Sequence, residues 1–228
     1  MAASLPVPVP VPPRLYPARR PAVAAGLLAG VIVTADWARA ASAPAARHAV
    51  YAAEAAGRAH PSTLHEGLEV MAVVFLLAWF AASLWLFQVH ATAAAIAPGR
   101  MRRSAVWTSM GWVVPVVSLW FPKQIVDDSA RVSAAALAAR GRRLRPVPTG
   151  AWWIAWLVYL ALANRAGLLQ DAAGVGAAGG RRSIHPELEI LVAVAGTVAL
   201  VLWLRVLRDV TRANDALVGT AGRPGPAA

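Results

Sequence analysis

The chain has no cysteine at any of its 228 positions, which excludes disulfides, thiolate metal sites, cysteine nucleophiles and haem attached through thioethers. Lysine is nearly absent too. Lys123 stands alone and every other basic position is Arg, a bias that accompanies abundant Ala, Gly and Pro and fits a GC-rich bacterial genome. Charge of either sign is scarce, at 14% of residues, while 58% are hydrophobic and the mean hydropathy is +0.54. A soluble globule of this length does not normally bury so much apolar surface, and a bilayer is the usual remedy. Acidic residues number only 11 against 22 basic ones. The Arg residues nevertheless fall in short clusters beside apolar runs and not along one soluble face, so the excess points to juxtamembrane loops and not to nucleic acid.

Catalytic signatures are missing as well. There is no Gly-x-Ser-x-Gly elbow, no glycine-rich loop ending in Gly-Lys-Ser or Gly-Lys-Thr, and no His-Glu-x-x-His. Hydrolase, nucleotide-binding and zinc-protease chemistry therefore have no support, and a non-enzymatic protein without a cofactor is the expectation.

What is present divides the chain into three parts. Residues 1–20 carry the run Pro6-Val7-Pro8-Val9-Pro10-Val11-Pro12-Pro13, which lacks helix-competent N–H groups and is expected to form a disordered, polyproline-like tail. Residues 21–214 hold the apolar segments, and 215–228, ending Gly222-Arg223-Pro224-Gly225-Pro226, read as a second loose tail. The expected class is all-α, an integral membrane bundle of about four transmembrane helices near 22–43, 68–89, 147–164 and 187–207. A spanning helix needs about 20 predominantly apolar residues to cross roughly 30 Å of hydrocarbon. Trp152, Trp153 and Trp156 are the aromatic belt expected at a membrane entry point. The first segment is the weakest, because Asp36 and Arg39 interrupt it. Arg19-Arg20, the run Val23 to Val33 and Ala38-Arg39-Ala40 also match the three regions of a cleavable signal peptide, so a retained helix and a cleaved signal are both open. Asp36 and Arg39, three apart, are placed to pair on one helix face.

Between the second and third of these spans lies the segment 104–121, with Pro115 in its middle and Pro122 directly after it. Proline removes a helical hydrogen bond, so a re-entrant or interfacial element fits better than a straight crossing. With that element held on the inner side and the N-terminus inside, only Arg39, Arg47, Arg58, Arg165, Arg181 and Arg182 of the 22 basic residues fall outside. The positive-inside rule thus favours four crossings, both termini cytoplasmic, in a bacterial plasma membrane. After Pro122, apolar Ile125, Val126, Val132 and Ala136 alternate with Asp127, Asp128, Arg131 and Arg140, an amphipathic pattern. The basic run Arg140, Arg142, Arg143 and Arg145 is expected to face anionic lipid headgroups.

The spacing Gly111-Trp112, Pro115, Leu119-Trp120, Pro122, Gln124 and Asp127 resembles the core pattern of the domain of unknown function 4328 family of bacterial multi-pass membrane proteins. A long apolar helix before it, a Trp-rich helix after it and the ending Arg205 to Arg212 strengthen the likeness, which covers residues 22 to 214. One departure is Phe87-Gln88-Val89-His90, less polar than the family's stretch there. The resemblance implies a membrane architecture and carries over no catalytic residue.

Two clusters could hold chemistry. His65-Glu66-Gly67-Leu68-Glu69 and His185-Pro186-Glu187-Leu188-Glu189 each open an apolar helix, and their alignment hints at an internal repeat. His65, Glu69, His185 and Glu189 are thus candidate metal or haem ligands. The plainer explanation, acids complementing helix dipoles and His at a wet interface, is favoured. His90 is placed to titrate or to pair with Asp127, or simply to sit at a helix end. A structural or interaction scaffold is the leading function, with the bilayer and a protein reading the proline-rich tail as partners. A transporter or channel-like subunit is the alternative, disfavoured because no ionisable residue lies deep within the expected spans. A metal or haem redox protein using the His/Glu clusters is the second alternative.

Overall fold

A computed structural model of the chain describes residues 15–57, 64–145, 147–172 and 185–221, and the regular structure among them is all helical. In chain order the helices are α1 (Arg19–Ala55), α2 (Leu64–Ile96), the single turn α3 (Trp107–Met110), α4 (Phe121–Ala138), α5 (Thr149–Ala172) and α6 (Pro186–Ala221). A 3₁₀ turn at Val117–Leu119 precedes α4. Three helices are long and apolar enough to cross a membrane, over Arg19–Ala53, Val70–Ile96 and Pro186–Gly219.

α2 shows how sequence dictates helix and face together. From Val70 to Pro98 it carries no Asp, Glu, Lys or Arg, and neither Gly nor Pro interrupts it before Pro98 and Gly99, the latter at φ +80°. Ala81, Trp85, Val89 and Ala93 recur every four residues and are buried against the bundle. Val70, Val73, Leu76, Leu77 and Phe80 point outwards and are exposed. A contiguous apolar surface of this kind is what a lipid-facing helix presents.

α6 is the central element, packed on α1 and on α5, while α1 also packs on α2. The α1–α6 approach is close at Gly26, where a Cβ would lie 2.9 Å from Leu204 Cδ2; small residues permit such approaches between apolar helices. At the centre, Trp203 of α6 stacks on Trp152 at 4.8 Å and meets Trp85 edge-on at 5.2 Å. Trp112 and Trp153 extend this cluster. Each such aromatic pair contributes about 0.5–1.5 kcal/mol beyond its area burial.

Several expectations are corrected here. Trp152 and Trp153 are 2% and 4% exposed and so belong to the core and not to an outer aromatic belt, because the face of α5 that carries them packs on α6. α1 does not weaken at Asp36 but runs on through Pro44 to Ala55. The boundaries drawn at residues 20 and 215 also shift: Arg19 already opens α1, and α6 continues to Ala221 with Leu217 fully buried. Residues 1–14 and 222–228 lie outside the described residues.

Candidate functional site

The family-like motif builds one compact hairpin. Gly111 follows α3, and a Cβ there would lie 2.5 Å from the Trp107 carbonyl oxygen and 3.4 Å from Phe121 Cβ, so no larger residue fits without a shift. Trp112 donates from Nε1 to Thr108 O at 3.0 Å and inserts between Trp153 and Trp203. The Pro115 carbonyl accepts the Val117 N–H at 2.7 Å, closing a three-residue turn around Val116 at φ +66°. That conformation is costly for a β-branched residue. The Leu119 carbonyl accepts Trp153 Nε1 at 2.7 Å, Trp120 caps α4, and Pro122 fills its first turn, where no N–H is needed. Trp79, three turns before His90 on α2, donates to Ser109 O at 3.3 Å. The hairpin therefore reaches well along α2 before it returns.

Charges clamp its two feet. Arg102 leads in and Asp128 lies beyond the exit; the backbone N–H of Arg102 donates to Asp128 Oδ2 at 3.1 Å and its Nε to Oδ1 at 3.0 Å. Arg131 closes on the same carboxylate. Asp128 is 1% exposed, so its placement among the polar, outward residues of α4 is corrected: the two guanidinium groups make its burial affordable. Burial alone would raise the carboxyl, but the hydrogen bonds and charge of Arg102, joined by Arg131, outweigh it and hold the group below the usual carboxylate range. Alongside, Arg103 donates to Gln124 Oε1 at 3.0 Å and lies 3.8 Å over the Phe121 ring. His90 does not meet Asp127. Its Nε2 is 2.8 Å from the Arg103 carbonyl, while Asp127 pairs with Lys123 at 2.6 Å.

The same end of the bundle receives the N-terminal segment. Tyr16 N–H donates to Thr92 Oγ1 at 3.3 Å, Asn214 Nδ2 donates to Tyr16 O at 2.9 Å, and Ala18 N–H donates to Asp215 Oδ1 at 3.0 Å. Three polar groups from α2 and α6 thus strap down the chain just before α1.

A second polar cluster lies toward the opposite end. Asp36 accepts from Arg39 Nη2 and from Tyr159 Oη, both at 3.0 Å, and Arg39 also reaches Glu189 at 3.4 Å. Asp36 and Glu189 are each 5% exposed. Gly196 leaves room for this contact, since its Cβ would meet Tyr159 at 3.1 Å and Asp36 at 3.4 Å. Trp37 Nε1 donates to Thr197 Oγ1 beside it. Ionisable groups do therefore lie buried within the long helices, contrary to the expectation from sequence. The apolar run ends at Asp36 in the sequence alone, where the partners from α5 and α6 are invisible.

Of the proposed metal ligands, Glu189 lies beside Arg39 and His185 is exposed at the start of α6. The side chains of His65 and Glu69 lie outside the described residues. Among the described residues no group of three or more His, Asp or Glu is arranged to hold a metal ion. Arg140, Arg142, Arg143 and Arg145 are all exposed in the connection from α4 to α5.

Tyr159, Thr92, Asn214 and Asp215 were not singled out by sequence, since isolated polar residues in apolar or terminal stretches carry no local signal. Arg102 and Asp128 did leave one: opposite charges flanking a proline-interrupted apolar segment. No curated protein and no solved structure matches the chain significantly. A family profile described as Domain of unknown function (DUF4328) does, over residues 61–212, from the start of α2 through the hairpin, α4 and α5 into α6. With two thirds of its length matched, the chain belongs to the DUF4328 family.

Proposed function

We propose that the protein is a membrane scaffold of four crossings, α1, α2, α5 and α6, with both termini cytosolic and the tryptophan-proline hairpin entering and leaving through the inner leaflet. α5 supports the fourth crossing, since 24 residues rise about 36 Å, more than the roughly 30 Å of a hydrocarbon core. The Arg-rich distribution supports the orientation. The observation that carries the scaffold reading is the strap at Tyr16 and Ala18. It fixes Tyr16 and Ala18, directly after the proline-rich run in sequence, against α2 and α6, so a partner reading that run would meet the bundle at a defined point. Deleting Ala2 to Pro13 leaves the strap intact, and in-cell crosslinking should then lose a discrete adduct that the full chain gives. An unchanged adduct would remove the tail as the recruiting element.

The buried Asp36, Arg39, Tyr159 and Glu189 cluster favours a second reading, an ion- or proton-coupled transporter subunit, because ionisable groups inside membrane helices commonly mark pathways. Proteoliposome flux above empty vesicles, abolished by Asp36→Asn, would move the assignment to that reading.

A further inference from the structure

An open cleft of about 950 Å³ lies between α4, the connection into α5 and the last part of α6. Five guanidinium groups line it, those of Arg102, Arg131, Arg145, Arg208 and Arg212, against the two carboxylates of Asp127 and Asp209. Arg102 and Arg131 are held by Asp128 and Asp127 by Lys123. Arg145, Arg208 and Arg212 have no ion pair among the described residues, and all three are exposed. Thr149 adds a hydroxyl and the first turn of α5, which contains no acidic residue, so the positive end of a 24-residue helix opens on the same space. One wall is apolar, made by Leu144, Val147 and Ala213, with Leu144 exposed.

We propose that this cleft is a binding site for a phosphate-bearing anion. Planar guanidinium groups contributed by four chain segments line one space, and each can meet the oxygens of a phosphate in bidentate fashion. A volume of about 950 Å³ is at the upper end for sites that take drug-sized molecules, and with the apolar wall it suits a headgroup together with the start of its acyl chains. An anionic phospholipid is therefore the favoured source, a part that rests on the membrane placement argued above; a soluble phosphate ester would use the same guanidinium groups.

The test uses the full chain purified in neutral detergent, with bound lipid counted by native mass spectrometry. Dioleoyl phosphatidylglycerol should bind about tenfold better than dioleoyl phosphatidylcholine, and the triple variant Arg145→Gln, Arg208→Gln, Arg212→Gln should lose that preference. The variant Arg19→Gln, Arg20→Gln, Arg165→Gln, which removes equal charge from exposed positions outside the cleft, should keep it. A tryptophan-fluorescence melt in phosphatidylcholine checks that each variant is folded, and Arg212→Gln alone, with a partial loss expected, serves if the triple variant is not. Competition by millimolar inorganic phosphate or glycerol 3-phosphate would keep the site and move its source to a soluble phosphate; no competition assigns it to the lipid. Equal loss in both triple variants, or a wild type indifferent to both lipids and to phosphate, overturns the proposal while leaving the membrane placement standing.

Discussion

At the scale of single residues, Asp128 shows how a charge enters an apolar assembly. Its side chain is fully buried, and two guanidinium groups and one backbone N–H converge on it. Removing one member of such a group leaves the others desolvated without compensation. Asp128→Asn should lower stability at neutral pH by about 1.5–3 kcal/mol, the range for hydrogen bonds to charged groups. The sign of its pH dependence follows from the depressed carboxyl. A group held below its unfolded value stabilises the fold above that value, about 3.9 for Asp, and the contribution is lost as the pH falls from there through the lower folded value. Wild type should therefore lose stability below about pH 4, and thermal melts of the Asn variant should show a shallower acid dependence. Parallel acid profiles for the two proteins would contradict the role given to this carboxylate.

At the scale of elements, the hairpin between α3 and α4 is held at its base by charge and along its sides by indole N–H donors, yet it is strained at its tip. Val116 sits at φ +66° and is exposed, a combination in which the side chain costs the backbone without adding much burial. Glycine takes that conformation freely. Val116→Gly should raise the melting midpoint, by about 1 kcal/mol in stability once glycine's greater unfolded entropy is offset. A midpoint lowered by that substitution would mean that the Val116 side chain contacts something in the native assembly.

The elements also show what could be read from sequence. α2 was legible as an apolar helix because its charge-free run is a local feature, but its extent was not, since the helix covers Leu64–Ile96 and the expected span only 68–89. Pro115 and Pro122 disfavoured a straight helix through 104–121, since a missing N–H is a property of the residue itself, and that stretch holds only α3 and a 3₁₀ turn before α4. The lengths of α1 and α6 were not legible. Asp36 ends an apolar run in one dimension, while in three it is partnered by Tyr159 across the bundle. Asp215 resembles the start of a loose tail, but it accepts a hydrogen bond from Ala18, 197 positions away. The indoles of Trp152 and Trp153 were visible and their direction was not, because periodicity alone does not say which face of a helix meets protein and which meets lipid.

At the scale of the whole molecule, the two polar assemblies lie toward opposite ends of the bundle, with the aromatic cluster around Trp203 between them. One end gathers Arg102, Arg103, Asp128, the strap and the arginine cleft; the other gathers Asp36, Arg39 and Glu189. Their separation matches a slab whose two faces are wet and whose middle is not. The central claim is that lipid fills that middle and that the arginine-rich end is cytosolic. In this cysteine-free chain, Ala55→Cys and Ala138→Cys place single thiols at exposed positions at opposite ends. The most direct test is labelling of these two variants with a membrane-impermeant maleimide in intact cells: the account predicts that position 55 reacts at once and position 138 only after permeabilisation, and labelling of position 138 in intact cells would contradict it.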